Sequence, residues 1–150
     1  MRRIVGKVVV SVVRNDIISS VGSLQVCTGH EGGCESAIHV MLSISEEEGT
    51  ATMMLIDAGN AFNAINREAF LRNIFIICPV IATFVRNCYG LPSRLFVIGG
   101  SEILSSEGTT QGDPIAMAIY AIGIIPLILM LLEIVTVSPY TKCKNGCICR

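Results

Sequence analysis

Tryptophan is absent from the 150-residue chain, aromatic residues make up only 5% of it, and charged residues only 15%. Soluble domains usually carry about 25% charged residues. Half of the chain is apolar (51%) and the mean hydropathy is +0.64, which excludes a disordered tail or a low-complexity linker. A chain of this length can bury a core. The composition therefore indicates either a membrane segment or the inner part of a larger fold.

Acidic residues are missing from both ends of the chain, although the formal net charge is only −1. Residues 1–14 contain four cations and residues 142–150 contain three, whereas the segment between them holds four cations and all twelve acids. A free-standing nucleic-acid-binding domain usually presents a broad basic face. The charge pattern therefore does not support tight nucleic-acid binding by this chain alone.

The seven cysteines show no recurrent spacing, which argues against a disulfide framework. The last three, at positions 143, 147 and 149, have no fourth ligand at a suitable spacing, so no zinc site is expected. The first four are predicted to be small residues in or near the core of a protein from a reducing compartment, which are Cys27, Cys34, Cys78 and Cys88.

The N-terminal apolar run, residues 4–13, is too broken for a secretory signal peptide. Lys7 interrupts it, and Arg14 and Asp16 follow at once. Its β-branched residues fit either a strand or a buried helix. An intracellular location, in the cytoplasm or the nucleus, is expected.

An uncharged run, residues 115–132, reaches the length of a membrane span. Pro126 lies inside it, and Gly123 weakens it further. Composition alone leaves two interpretations open, a membrane helix at about 115–137 and a helix buried in a larger domain. The motifs described below favour burial.

Local patterns predict the order helix, strand, helix, helix, hairpin, helix. That order is typical of an α/β or α+β domain in which helices cover a sheet. Helical spacing favours a helix over residues 35–45. A loop is expected over 19–23, and the acids at 46–48 are expected in a solvated turn. A short apolar run over 50–56 predicts a buried strand that ends at Asp57.

The second half of the chain carries clear start and stop signals. Asn66 is a good N-cap and predicts a helix to about Ile77, and Pro79 predicts a second helix to Tyr89. Two runs, 94–98 and 102–105, flank Gly99-Gly100 and predict a hairpin. Asp113 as N-cap and Pro114 at the first helical position predict the start of the long apolar helix.

Two stretches carry candidate chemistry. The first, residues 53–63, places Asp57 at the end of the predicted strand, where a sheet would hold its carboxylate toward a cation such as Mg²⁺. The second, residues 107–114, is a glycine loop that leads into a helix N-terminus, where backbone N–H groups approach ligands. Each also has an ordinary interpretation, as turn residues after a strand and as a capped helix start.

Taken together and in this order, the two stretches resemble motifs A and B of the reverse transcriptases of non-LTR retrotransposons and related retroelements. The pattern Asp57-x-x-x-Ala61-Phe62 stands about fifty residues before Gly108-x-x-Gln111-Gly112-x-Pro114. The segment from residue 24 to residue 37 and the two helices after motif A are also similar to that family. The resemblance covers roughly residues 2–127.

The resemblance implies a partial right-hand polymerase fold. Residues 1–50 would be a fingers-like segment, 51–127 a palm segment with motifs A and B, and 128–150 a divergent tail. The implied partners are an RNA template, a DNA primer and a dNTP. The implied chemistry is a two-metal attack of the primer 3′-oxygen on the α-phosphate.

The resemblance also implies roles for individual residues. Asp57 would be the first catalytic carboxylate and would bind both Mg²⁺ ions, with the carbonyl group of Ala58 completing the shell of the second ion. Phe62 would lie under the incoming sugar and exclude a 2′-OH, and Gln111 and Gly112 would line the nucleotide and template pocket. From the residues alone, Phe62 is equally well interpreted as a core aromatic residue.

The chain departs from the family pattern after motif B. No Asp follows Asp113, so the Tyr/Phe-x-Asp-Asp hairpin that carries the other carboxylates in the family is missing. One carboxylate cannot clamp two Mg²⁺ ions. The sequence therefore predicts a reverse-transcriptase fragment that does not polymerise alone. A small membrane-anchored protein and a non-catalytic nucleic-acid-binding remnant stay open as alternatives.

Overall fold

Helices dominate the structure, a computed structural model that describes residues 2–26, 28, 31–47 and 56–137. A 3₁₀ turn covers Gly22–Leu24, and two short strands form an antiparallel hairpin. The elements in chain order are α1 (Arg2–Val12), α2 (Arg14–Val21), α3 (Gly33–Glu46), α4 (Ala61–Ala64), α5 (Arg67–Ile77), α6 (Pro79–Tyr89), β1 (Ser93–Phe96), β2 (Glu102–Ser105), α7 (Ala116–Gly123) and α8 (Ile125–Val137).

The two helices predicted after motif A are confirmed, because their signals are local. The side-chain oxygen of Asn66 accepts a hydrogen bond from the backbone N–H of Ala69 at 2.8 Å, which caps the start of α5. Pro79 is the first residue of α6, where the N–H that proline lacks has no partner within the helix. The predicted helix over 35–45 is also confirmed, as α3.

The predicted hairpin is confirmed with a shorter first strand. Ser93 pairs with Ser105 and Phe96 with Glu102, so β1 ends two residues before the predicted limit. Both glycines of the turn have positive φ, +109° at Gly99 and +90° at Gly100. Most of the hairpin is exposed.

The core is made by helices that pack on helices. Helix α5 lies against α6 and α7, and α2 covers α7 from another side. The rings of Phe70 and Tyr89 meet edge to face with centroids 5.8 Å apart. The largest fully buried core residues come from α2, α5, α6 and α7 and from the residues just before α6 and α7, namely Val21, Phe70, Ile74, Cys78, Ile81, Val85, Tyr89, Ile115, Ile119 and Ile122.

Helices α5 and α7 approach closely at Gly123. A Cβ atom on this glycine would lie 2.9 Å from the side chains of both Ile65 and Phe70. The amide nitrogen of Asn73 donates a hydrogen bond at 2.8 Å to the Gly123 carbonyl, which ends α7. A small residue is therefore required at this contact.

The described residues do not form the expected sheet covered by helices. Among them, β1 and β2 are the only strands, and the chain is mostly helical with minor β content. The predicted buried strand over 50–56 falls largely outside the described residues. Its last residue, Ile56, is described, is 66% exposed and lies in no strand.

The N-terminal region also differs from expectation. The run over 4–13 is a helix, but only one of its sides packs on the core, through Val9, Val10 and Val13. The predicted loop over 19–23 was wrong over its first three residues, because α2 extends to Val21. The other two residues belong to the 3₁₀ turn Gly22–Leu24. The Ser20 hydroxyl donates to the Asp16 carbonyl at 2.7 Å, so the serine is satisfied within the helix.

The described residues also test the expectations for the acids at 46–48 and for the cysteines. Glu46 is the last residue of α3 and Glu47 follows in an exposed bend, while residue 48 lies outside the described part. Of the cysteines predicted in or near the core, Cys78 is buried and Cys88 half-buried, but Cys34 is exposed, so the prediction was wrong for Cys34. Cys27 and the three C-terminal cysteines lie outside the described residues.

The predicted apolar helix is divided in two. It begins at Ala116, two residues later than predicted, and breaks at Ile124 before α8. Helix α7 is largely buried, whereas many side chains of α8 are exposed, such as Leu127 at 50% and Ile134 at 59%. Residues 116–134 are apolar and long enough to cross a membrane, and 28% of this window is buried.

Candidate functional site

Residues 56–60, in the described part of the stretch that resembles motif A, are exposed and turn at Gly59 and Asn60 into α4. Asp57 and Ala58 are exposed and belong to no helix or strand. Asn60 follows in the left-handed region (φ +53°), and its side-chain oxygen accepts a hydrogen bond from the Asn63 amide at 2.8 Å. Asparagine tolerates this conformation better than most residues. The turn holds Asp57 at the surface.

The motif B loop lies directly on the segment that follows Asp57. The backbone N–H of Thr109 donates to the Phe62 carbonyl at 2.7 Å, and the Thr109 hydroxyl donates to the same oxygen at 3.1 Å. The Gly108 N–H donates to the Ile65 carbonyl at 3.0 Å. Thr109 is only 4% exposed, so these bonds are sheltered from water. The two stretches singled out in the sequence therefore meet in space.

Gly108 permits this close approach. Its φ is +65°, and a Cβ atom there would lie 2.6 Å from the Cα of Asn63 and nearer still to the Asn63 carbonyl oxygen. Because those atoms are backbone, they cannot rotate away. Only glycine fits at this position.

Phe62 contacts helix α7 through its ring. Its half-buried ring packs against Tyr120 of α7, with the centroids 5.1 Å apart. This contact agrees with the interpretation of Phe62 as a core aromatic residue, which the sequence offered as an alternative to the nucleotide role.

Gln111 and Gly112 form an exposed turn before Asp113. Gly112 has a φ of +76°, and the Arg3 guanidinium lies 3.1 Å from the place of a Cβ atom. Arg3 of α1 therefore lies beside this turn, and nothing in the sequence predicted that contact.

Asp113 is the centre of a polar cluster that sequence reasoning reduced to a helix cap. Its side chain is 5% exposed, forms a 2.8 Å ion pair with Arg2, and accepts a 2.6 Å hydrogen bond from the Tyr89 hydroxyl. The N–H of Ile115 donates to its second oxygen at 3.2 Å, so the capping role is also present. The Tyr89 hydroxyl in turn accepts from the Thr110 N–H at 3.2 Å. The cluster ties α1 and α6 to the motif B loop.

Arg67 holds the other end of the same loop. Its guanidinium donates to the carbonyl groups of Ser105, Glu107 and Gly108 at 2.8–3.2 Å. The residue is 7% exposed, and its guanidinium carbon lies 5.4 Å from the centroid of the Tyr89 ring. Sequence reasoning missed Arg67, because an arginine after an N-cap is normally a surface residue.

Burial and charge change the pKa values within this cluster. Burial raises the pKa of Tyr89, and its hydrogen bond to Asp113 raises it further. Burial also raises the pKa of the Cys88 thiol and lowers the pKa of Arg67. Burial alone would lower the pKa of Arg2, but the neighbouring Tyr89 and Asp113 raise it overall. Arg2 is therefore cationic at neutral pH.

The donor set around Asp57 does not fit the Mg²⁺ ions that the resemblance implies. Two-metal sites need several carboxylates close together. The described residues contain no group of three His, Cys, Asp or Glu side chains able to hold a metal. Asp57 and the Ala58 carbonyl are thus an incomplete metal site in this part of the chain.

No protein-family model matches the chain, and neither the search of characterised proteins nor that of solved structures finds a match.

Proposed function

We propose that the chain is a fragment of a retroelement reverse transcriptase of the non-LTR type, inactive by itself. Residues 1–50 correspond in this proposal to a fingers-like segment and 51–127 to part of the palm. One observation carries it. The bonds from Thr109 to the Phe62 carbonyl join the two motif-like stretches, which lie far apart in sequence. An intracellular location belongs to the same proposal.

Exposure of the candidate residues supports the proposed roles. Asp57, Ala58 and Gln111 are open to solvent, as residues that meet a primer–template and a dNTP must be. Gly112 is exposed beside Gln111. Phe62 packs against Tyr120 with one part of its half-buried ring, and in this proposal the rest of the ring faces the incoming sugar. The fragment keeps one carboxylate, that of Asp57. It lacks the further carboxylates that would hold two Mg²⁺ ions for phosphoryl transfer.

A primer-extension assay tests the inactivity of the chain alone. With an RNA template, a DNA primer, dNTPs and either Mg²⁺ or Mn²⁺, we expect no template-dependent incorporation. Incorporation that disappears in Asp57→Ala would contradict the claim that the fragment is incomplete.

A chimera tests the family assignment itself. Residues 128–150 are replaced by the Asp-Asp hairpin and thumb of an active non-LTR reverse transcriptase. We expect incorporation that is lost in Asp57→Ala, and a relaxed preference for dNTPs over rNTPs in Phe62→Val. Asp16→Ala, at an exposed acid of α2, is the matched control and should stay active. A folded chimera in which Asp57→Ala changes nothing would refute the assignment.

A second candidate function is a small membrane-anchored protein, favoured by α8. Its exposed side chains include Leu127, Met130 and Leu132, at 46–50% exposure. Extraction of the expressed protein from cell membranes separates the two proposals. Release by alkaline carbonate fits the polymerase fragment, and retention until detergent is added fits an anchor at about 115–137.

A further inference from the structure

The exposed part of the motif B loop is a tight turn from Thr110 to Asp113. The Asp113 N–H donates to the Thr110 carbonyl at 3.1 Å, which closes the turn. Gln111 has a negative φ and Gly112 a φ of +76°, and this combination is that of a type II turn. Both central residues are exposed. The two ends of the turn therefore set the direction in which the Gln111 side chain leaves the fold.

One core hydroxyl group bonds to both ends of this turn. The Tyr89 hydroxyl accepts a hydrogen bond from the Thr110 N–H at 3.2 Å and donates to the Asp113 carboxyl group at 2.6 Å. Tyr89 is 1% exposed, and its ring packs edge to face against Phe70. Tyr89 thus joins the turn to the core between α5 and α6.

Arg2 bonds to the C-terminal end of the same turn from helix α1. Its guanidinium pairs with Asp113 at 2.8 Å, and the guanidinium carbon lies 4.5 Å from the centroid of the Tyr89 ring. The backbone of α1 is also near, because a Cβ atom on Gly6 would lie 3.6 Å from the Oδ1 atom of Asp113. Asp113 is therefore held from both α1 and α6.

The other contacts of the loop do not restrain the turn directly. Arg67 and Phe62 bond to loop residues 105–109, which come before it. The Arg2 side chain is 39% exposed, and an ion pair with a partly exposed member contributes little to the stability of a whole fold. Loss of the Arg2 guanidinium should therefore act mainly on the turn.

We propose that Arg2 is a positioning residue for Gln111. By holding Asp113 beside Tyr89, Arg2 fixes the C-terminal end of the turn and with it the direction in which Gln111 is presented to the incoming nucleotide. A side chain that is already ordered loses less freedom when a ligand binds, so binding is tighter. The nucleotide in this role rests on the polymerase function proposed above, whereas the restraint of the turn by Arg2 is measurable in the chain alone.

Amide hydrogen exchange of the full chain, followed by NMR, tests the restraint. In Arg2→Met the N–H groups of Thr110 and Asp113 should exchange at least about tenfold faster, since the charge-assisted bond that holds one end of the turn is lost. The N–H groups of Gly108 and Thr109 bond outside the turn and should keep their wild-type rates.

Three further variants sharpen this measurement. Lys7→Met is the matched control, because it removes an exposed cation from the same helix, and it should leave exchange in the turn unchanged. Arg2→Lys keeps the charge and should restore part of the protection. Asp113→Asn keeps an oxygen for the helix cap but removes the acid of the pair. It should speed exchange of the Thr110 N–H as Arg2→Met does, and it replaces that variant should Arg2→Met fail to fold.

The reverse-transcriptase chimera described above tests the consequence for the nucleotide. Arg2→Met should raise the KM for dNTP by about tenfold with little change in kcat. A mere loss of folded protein would instead lower the apparent kcat at an unchanged KM. In a Gln111→Ala background, Arg2→Met should have no further effect, because two residues that act through one contact are not additive.

Several results would overturn the proposal. Unchanged exchange of the Thr110 and Asp113 amides in folded Arg2→Met would do so. Equal acceleration at Gly108 and Thr109 would also do so, because it reports a general loss of stability. Additive losses in the double variant would show that Arg2 does not act through Gln111. A chimera without incorporation would count against the proposed function, while the exchange rates would still decide whether Arg2 holds the turn.

Discussion

Replacing Gly108 with alanine should destabilise the fold more than the same change at a left-handed glycine that has open space around it. Two costs coincide at this residue. Its φ of +65° is unfavourable for alanine, and the new methyl group would meet the backbone of Asn63. Because the Gly108 and Thr109 N–H groups bond to the segment 62–65, any shift that relieves the clash also strains those bonds.

The magnitude follows from these two costs. Alanine in the left-handed region costs about 1 kcal/mol relative to glycine. Forcing a methyl group against packed atoms costs about 1–3 kcal/mol more. The free energy of unfolding should therefore fall by about 2–4 kcal/mol, which lowers the Tm by roughly 5–15 °C for a chain of this size.

Gly32 provides the matched control. Its φ is +66°, and nothing lies within 4 Å of the place of its Cβ atom. Gly32→Ala should therefore show the backbone cost of about 1 kcal/mol alone. Thermal and urea unfolding of both variants, followed by far-ultraviolet circular dichroism, measures the difference. Equal losses at the two positions would refute the contact between the motif B loop and the segment after Asp57.

Three further changes test the capping, the polar cluster and the loop tether. Asn66→Ala removes the cap of α5 and should cost about 1 kcal/mol in urea unfolding, whereas Asn66→Gly should cost only a few tenths. Tyr89→Phe removes the hydrogen bond to Asp113 and should cost about 2 kcal/mol at neutral pH. Because burial raises the pKa of Tyr89, the unfolded chain loses this proton near pH 10 while the folded chain keeps it. Stability therefore falls as the pH rises above 10, and the phenylalanine variant should fall less steeply over that range; parallel curves would contradict the assignment. Arg67→Met leaves buried carbonyl groups without a donor and should lower the free energy of unfolding by about 3 kcal/mol, against a few tenths for Arg72→Met at an exposed site of α5.

Elements with local signals were predictable from the sequence. The cap at Asn66, the proline at 79 and the glycine pair at 99–100 each act within a few residues, so α5, α6 and the hairpin were predicted close to their observed limits. The break at Ile124 lies two residues before Pro126, which lacks the N–H that a continuous helix needs there. The helical state of Ser19 depends on the packing of Ile17 and Val21 in the core. Periodicity does not carry that information.

The candidate site was predictable in part. The motif-like stretches were recognised from residue order, and the contact between Thr109 and Phe62 brings them together. The tethers of the loop were not predicted, because Arg67 and Arg2 reach partners 38–41 and 111 positions away. A buried arginine satisfied by carbonyl groups has no sequence signature of its own. Whether Asp57 and Gln111 act on a nucleotide stays a prediction.

The ion pair between Arg2 and Asp113 also bears on how the protein is made. The aspartate that anchors helix α1 is added to the growing chain 111 positions after Arg2. A nascent chain halted before Asp113 lacks Ile115, Ile119 and Ile122, so the core that Val9 and Val10 of α1 pack against is not yet complete. Ribosome-bound intermediates should therefore recruit holding chaperones until the loop at 107–114 has left the ribosomal exit tunnel, and release them once it has closed over the helix.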